Sequence, residues 1–247
     1  LTEIIFLLGK GDCLVGRTNV CDYPEQANKI PAVGQFGIPN FEKVLQVKPD
    51  ILVFSILKDR SFATKFQKLG IKTRELPYRT LDDYFKALKA LGKLLNCPKQ
   101  AAKQVRTDMH QLEQFKQAAA KIPFDKRPKV FIALHDSPLM TIGKNSFIND
   151  MIKYAGGRNI AGKENRSYFN CSLEWVMRQQ PDVILFPGIH KRKVAEIVAS
   201  PGWRTLQAVK KGNYYYDLNP DLIYRLGPRI PAGIKMLRKY IKKHLKK

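Results

Sequence analysis

Short unbroken apolar runs alternate along this chain with stretches whose apolar residues recur every three or four positions. This is the texture of strands buried in a parallel sheet alternating with amphipathic helices. ILVFS at 51–55, KVFIAL at 129–134 and DVILF at 182–186 read as strands, as do IKTREL at 71–76 and NYYYDL at 213–218. Residues 14–16 and 159–160 give two shorter ones. Helical spacing covers 1–9, closed by Gly9, then 41–47 behind an Asn40 cap, 59–70, and 80–95. It returns at 146–157, 172–180, 191–199 and 231–245. The longest unbroken helical pattern, 98–122, carries one apolar stripe through Ala102, Val105, Met109, Leu112, Phe115 and Ala119. Residues 16–37 and 135–145 read as loops rich in Gly, Pro, Asn and Asp.

The pattern restarts after Lys126-Arg127-Pro128 and contains an echo. FEKVLQVKPDILVF and LEWVMRQQPDVILF share the order short helix, Pro-Asp, apolar strand, at an offset of 132 residues. The predicted fold class is α/β, with two Rossmann-like lobes of parallel-rich sheets joined by one long helix. The boundaries are residues 1–96, the joining helix at 97–123, and 124–247. In such sheets ligands sit at the C-terminal strand ends, and two lobes put the natural site in the cleft between them.

Composition removes several function classes. The hydrophobic share is 44%, which excludes wholesale disorder. No apolar run approaches the ~20 residues of a membrane span, and no signal peptide is visible. Four cysteines without a CxxC pair argue against a structural zinc site. The net charge of +23 first nominates nucleic acid. Residues 228–247 hold eight Lys or Arg and no acid, and 86–127 hold ten against three. Both stretches are amphipathic helices, and no recognition helix, RNP-type aromatic pair or zinc finger accompanies them, so nucleic acid is not an expected partner.

Six strings in order, TEIIFLLG, VGRTNVCDYPEQA, NFEKVLQVKPDILV, SFINDMIKYAGGRNIA, CSLEWVMRQQPDVILF and RLGPRIPAGIKML, cover nearly the whole chain. Together they resemble the helix-backbone, bilobal substrate-binding proteins of ABC importers for cobalamin, haem and ferric siderophores. CDYP is most similar to the cobalamin-binding branch. The resemblance implies a periplasmic or membrane-anchored extracytoplasmic monomer. It would capture a metal-containing organic ligand and hand it to a permease and, through that, its ATPase, with no catalysis, no intrinsic cofactor and no resident metal. Membrane contact would come through the permease. The family begins with a strand before TEIIFLLG, so a longer natural chain carrying that strand and an export signal is expected.

Residue by residue, Asn19, Val20 and Cys21 follow the first expected strand and should line the cleft. Phe54, Ser55 and Lys58 end or follow the buried strand, and His135 and Asp136 occupy the equivalent place after KVFIAL. Asn145 and Phe147 open a helix whose free N–H groups can hold a ligand amide or carboxylate. Tyr168 is a candidate cleft aromatic, and Arg225 can pair with a ligand carboxylate or phosphate. His135 or the Tyr224 phenolate can meet haem iron. Glu42 and Glu174 hold matching places in the echoed helices; the resemblance implies that they dock on permease arginines. A chelatase-like enzyme on the same fold would instead need His135, Cys21 and Cys171 to converge on one ion.

Overall fold

The computed structural model describes residues 1–245, and two compact units divide the chain between Thr107 and Asp108. In the first unit, α1 (Thr2–Leu7) closes through Gly9 at φ +65°. The strand expected at 14–16 does not form. A 3-10 turn at Gly11–Cys13 is followed by a lone parallel bridge from Arg17 to Ala32. The Arg17 guanidinium donates to the carbonyls of Ile30 (3.0 Å) and Thr18 (3.2 Å). The chain is thus held as a loop, its backbone satisfied locally.

A hairpin of β1 (Gly34–Gln35) and β2 (Ile38–Pro39) then leads into α2 (Phe41–Gln46), β3 (Ile51–Phe54), α3 (Ser61–Lys68), β4 (Lys72–Glu75) and α4 (Leu81–Leu94). β3 pairs in parallel with β4, from Ile51 opposite Lys72 to Phe54 opposite Glu75. The apolar run at 51–54 promised a strand buried on both faces, yet all four residues of β3 are half-buried. The reason is the sheet: among the described residues β4 is the only partner of β3, and an apolar groove borders it. α4 starts in a capping box between Thr80 and Asp83, and Leu81, Tyr84, Leu88 and Leu91 form its buried stripe.

α5 (Pro98–Ala120) runs 23 residues, about 35 Å. Pro98 takes its first position, and neither glycine nor proline interrupts it afterwards.

The second unit continues with β5 (Lys129–Ile132), β6 (His135–Asp136), β7 (Leu139–Ile142), α6 (Phe147–Tyr154), β8 (Arg158–Asn159), β9 (Tyr168–Asn170), α7 (Leu173–Gln179), β10 (Val183–Leu185), α8 (Lys191–Ala199), α9 (Gln207–Lys210), β11 (Tyr214–Tyr215), α10 (Asp221–Tyr224) and α11 (Ile230–Ile241). The central sheet, in order β11-β10-β5-β8, is parallel throughout. Its two middle strands are the buried apolar runs, and Phe131 and Phe186 pack on Trp203 with ring centroids 6.2 and 5.6 Å away. Within 135–145 and the approach to Cys171, both read as loops, His135–Asp136, Leu139–Ile142 and Tyr168–Asn170 instead form a three-stranded antiparallel sheet, β6-β7-β9.

The echo is structural as well. Asn40 and Ser172 cap α2 and α7, accepting from the N–H of Lys43 (2.9 Å) and Trp175 (3.2 Å). Val44 and Val176 are the buried residue of each helix. Lys48 (φ +44°) and Gln180 (φ +47°) make the same left-handed turn before Pro49 and Pro181. The turns deliver β3 and β10.

Candidate functional site

Each unit presents a face at the C-terminal ends of its parallel strands, where main-chain groups are released from the ladder and loops can meet a ligand. In the first unit three loops are laced together there. The Asn19 N–H donates to the Gly34 carbonyl (2.9 Å), Val33 N–H to Arg17 (2.8 Å), and Lys58 N–H to Gly37 (2.9 Å). Gly37, at φ +73°, lets its carbonyl meet Lys58 in a tight hairpin. The lacing brings Cys21, Phe54 and Ser55 onto one cavity of about 250 Å³, together with Phe36 and Ile56. Inward, the same cavity reaches the apolar side chains of Ile5 and Leu91. Asn19, Val20 and Lys58 stand exposed on these loops. Cys21 Sγ lies 3.0 Å from Thr18 Oγ1.

Phe36 escaped the sequence reading. It is 59% exposed, against 46% for Val20 and 40% for Ile56. Its signal was a lone aromatic in a Gly-rich hairpin, QFG, where nothing in the core claims it. A large apolar side chain held in water by a rigid hairpin is a binding-surface feature.

In the second unit, Tyr224 bridges two strand ends. Its phenol donates to the carbonyl of Pro187, beyond β10, and lies 3.5 Å from that of Leu134, beyond β5. Burial pushes its pKa up to about 12, so the phenol keeps its proton. The ring remains 38% exposed. His135 is exposed, with Nδ1 accepting from the Ser137 N–H (3.3 Å). Asp136 pairs with Lys193 at 3.4 Å, and Arg225 with Asp221 at 3.0 Å. The arginine expected to be open to a ligand anion is therefore already engaged within its own turn.

Asn145 is exposed and donates from Nδ2 to Asn165 (3.1 Å), while its N–H donates to Arg166 (3.1 Å). Beneath it the sequence reading missed a buried amide network. Asn159 Nδ2 donates to Ile142 and to Asn149 Oδ1, both at 3.2 Å, and Asn149 Nδ2 donates to the Lys144 carbonyl at 3.2 Å. This network fixes the loop that presents Asn145. Tyr168, 48% exposed, stands at the start of β9 beside this loop, as a surface aromatic should. Phe147 does not join the face. It is 4% exposed, because it lies on the same apolar stripe of α6 as Met151 and Ile148 and packs inward with them.

Glu42 and Glu174 both sit two residues past a side-chain cap and both are exposed. Hydrogen bonds from the Glu174 N–H and from Ser172 hold the Glu174 carboxyl below its ordinary range, so it is charged at neutral pH. Among the described residues no three His, Cys, Asp or Glu side chains are placed to hold a metal ion. Burial also pushes the Cys171 thiol up to about 11. The chelatase-like set of His135, Cys21 and Cys171 is not supported.

Comparison with known proteins meets the same picture. An ABC transporter substrate-binding lipoprotein of Bacillus subtilis, YvrC, is 29% identical over 245 residues, which cover 97% of this chain and 76% of that protein. The periplasmic vitamin B12 binding protein BtuF of Vibrio cholerae superposes with a TM-score of 0.82 at 26% identity, covering 100% of this chain and 94% of its own. A periplasmic haem binding protein of Pseudomonas aeruginosa shares the fold, with a TM-score of 0.86 at 24% identity over 99% and 90% of the two chains. Residues 1–222 match the family described as periplasmic binding protein. The two-unit α/β fold with its long helix, the strand-end faces and these matches agree, and the chain belongs to the periplasmic binding protein family.

Proposed function

We propose that this chain captures cobalamin or a closely related corrinoid outside the cytoplasm and delivers it to the permease of an ABC importer. Its family consists of transport substrate-binding proteins, not enzymes. The corrinoid reading is carried by the full-length likeness to a vitamin B12 binding protein at 26% identity. The chemistry of the two faces supports it. A corrin offers a broad apolar ring with amide arms. Phe36, Phe54, Val20 and Tyr168 suit the ring; Asn19, Ser55 and Asn145 suit the arms. The ligand is cargo, and the chain brings no cofactor of its own to the task. Glu42 and Glu174 then read register on the permease as two separated carboxylates facing arginines. The protein works as a monomer.

One observation favours haem as a second reading: His135 stands exposed at a strand end, free in space to approach an iron. Tyr224 does not add to it, since its phenol is committed as a donor. Visible absorption separates the two. Cyanocobalamin that binds while haemin gives no Soret shift supports the corrinoid reading; a Soret shift on haemin with no response to cyanocobalamin overturns it.

A further inference from the structure

The charge of +23 has a local concentration that capture of a neutral or weakly charged ligand does not use. Between β4 and α4 lies an open groove of about 970 Å³. Lys72 and Arg74 line it from alternate positions of β4, so they share one face of the strand. Lys86, Lys89 and Lys93 line it from α4, at the spacing that keeps residues on one helix face. No acidic residue lines this groove. Lys86 is paired with Asp82 at 2.6 Å on its own helix. Among the described residues the other four have no ion-pair partner, and all are exposed.

Cations on the open edge of a two-stranded sheet also discourage edge-to-edge pairing, which accounts for Lys72 and Arg74. It does not account for three lysines facing them from a helix. The buried side chains of Ile71 and Leu76 also line the groove. The charged side chains of the groove are all cationic and come from two elements, an arrangement complementary to a plane of negative charge.

We propose that this groove docks the protein on the anionic headgroups of a phospholipid bilayer. A component that serves a membrane permease from outside the cytoplasm works beside such a surface, and each Lys or Arg brought to it adds attraction that salt screens. The contact is additional to the one expected through the permease and does not depend on which ligand is carried.

The test is co-sedimentation of the purified protein with phosphatidylcholine vesicles made with and without phosphatidylglycerol. K72E/R74E/K89E/K93E is compared with K191E/K210E/K211E/K235E, which changes net charge equally on exposed positions of the second unit. Wild type should bind only the phosphatidylglycerol vesicles, and the groove variant should lose about tenfold or more in partitioning while the control keeps most of it. Equal losses in both variants, wild-type binding to neutral vesicles, or no wild-type binding at all would each overturn the proposal. Circular dichroism checks folding. Should the fourfold groove variant not fold, K89Q/K93Q on the exposed face of α4 is read by the same criterion, with a several-fold loss expected.

Discussion

The phenol of Tyr224 donates a hydrogen bond to the main-chain carbonyl of Pro187. With Leu134 O at 3.5 Å, one side chain from α10 ties together the exits of β5 and β10, the strands at the middle of the second unit. Tyr224→Phe removes the donor and leaves a carbonyl short of its partner. Urea unfolding should show a loss of about 1 kcal/mol. With the phenol committed to the Pro187 carbonyl, haemin should give no phenolate-to-iron charge-transfer band in wild type at neutral pH; such a band would contradict the assigned donor role.

Glu42 and Glu174 are exposed, each two residues past a helix cap, and are proposed above to dock on the permease. E42K/E174K should reduce ligand uptake in a reconstituted transporter to background while leaving the ligand Kd within about twofold. A parallel fall in affinity would remove the glutamates from permease docking and place them in ligand capture.

Cys171 is half-buried, and desolvation pushes its thiol to about 11. At pH 8 roughly a thousandth of it is thiolate. Timed alkylation with iodoacetamide, mapped by mass spectrometry, should label the exposed Cys13 well before Cys171. Labelling of Cys171 should accelerate as pH rises towards 11. Equal rates at pH 8 would contradict the burial of this thiol.

His244 packs against Tyr215, with Nε2 2.7 Å from the phenol oxygen. Burial, followed by the neighbouring Lys243 charge, lowers its pKa below 6.5. The folded chain therefore binds fewer protons than the unfolded chain once pH drops below 6.5. Stability from this group is complete above that pH and is lost as pH falls through the folded value. Thermal melts across pH 5 to 8 should show a slope of this sign, and His244→Gln should flatten it.

Much of the architecture was legible because its signals are local. Asn40 and Ser172 as caps, the Pro-Asp pairs, and the apolar runs of β3 and β10 each state their role within a few residues. What escaped was decided by distant packing. β6 and β7 are short and separated by Ser137-Pro138, and the pairing of β7 with β9 spans about thirty residues of chain, so no window held a strand pattern. The half-burial of β3 follows from how few strands flank it, which its own composition does not encode. Phe147 and Phe36 failed in opposite directions. Phe147 sits beside a cap and looked like a ligand contact, but the stripe of α6 takes it inward. Phe36 lies in a Gly-rich stretch that reads as loop, and only the hairpin bond from Lys58 to Gly37 shows it held out to solvent.

The central claim is corrinoid capture by the strand-end faces. Calorimetric titration of the purified chain with cyanocobalamin tests it directly, with Phe36→Ala beside wild type. Wild type should bind one cyanocobalamin per chain, and loss of the exposed ring should weaken binding about tenfold while leaving the melting temperature nearly unchanged. The absence of saturable heat with cyanocobalamin, under conditions where haemin binds, would contradict it.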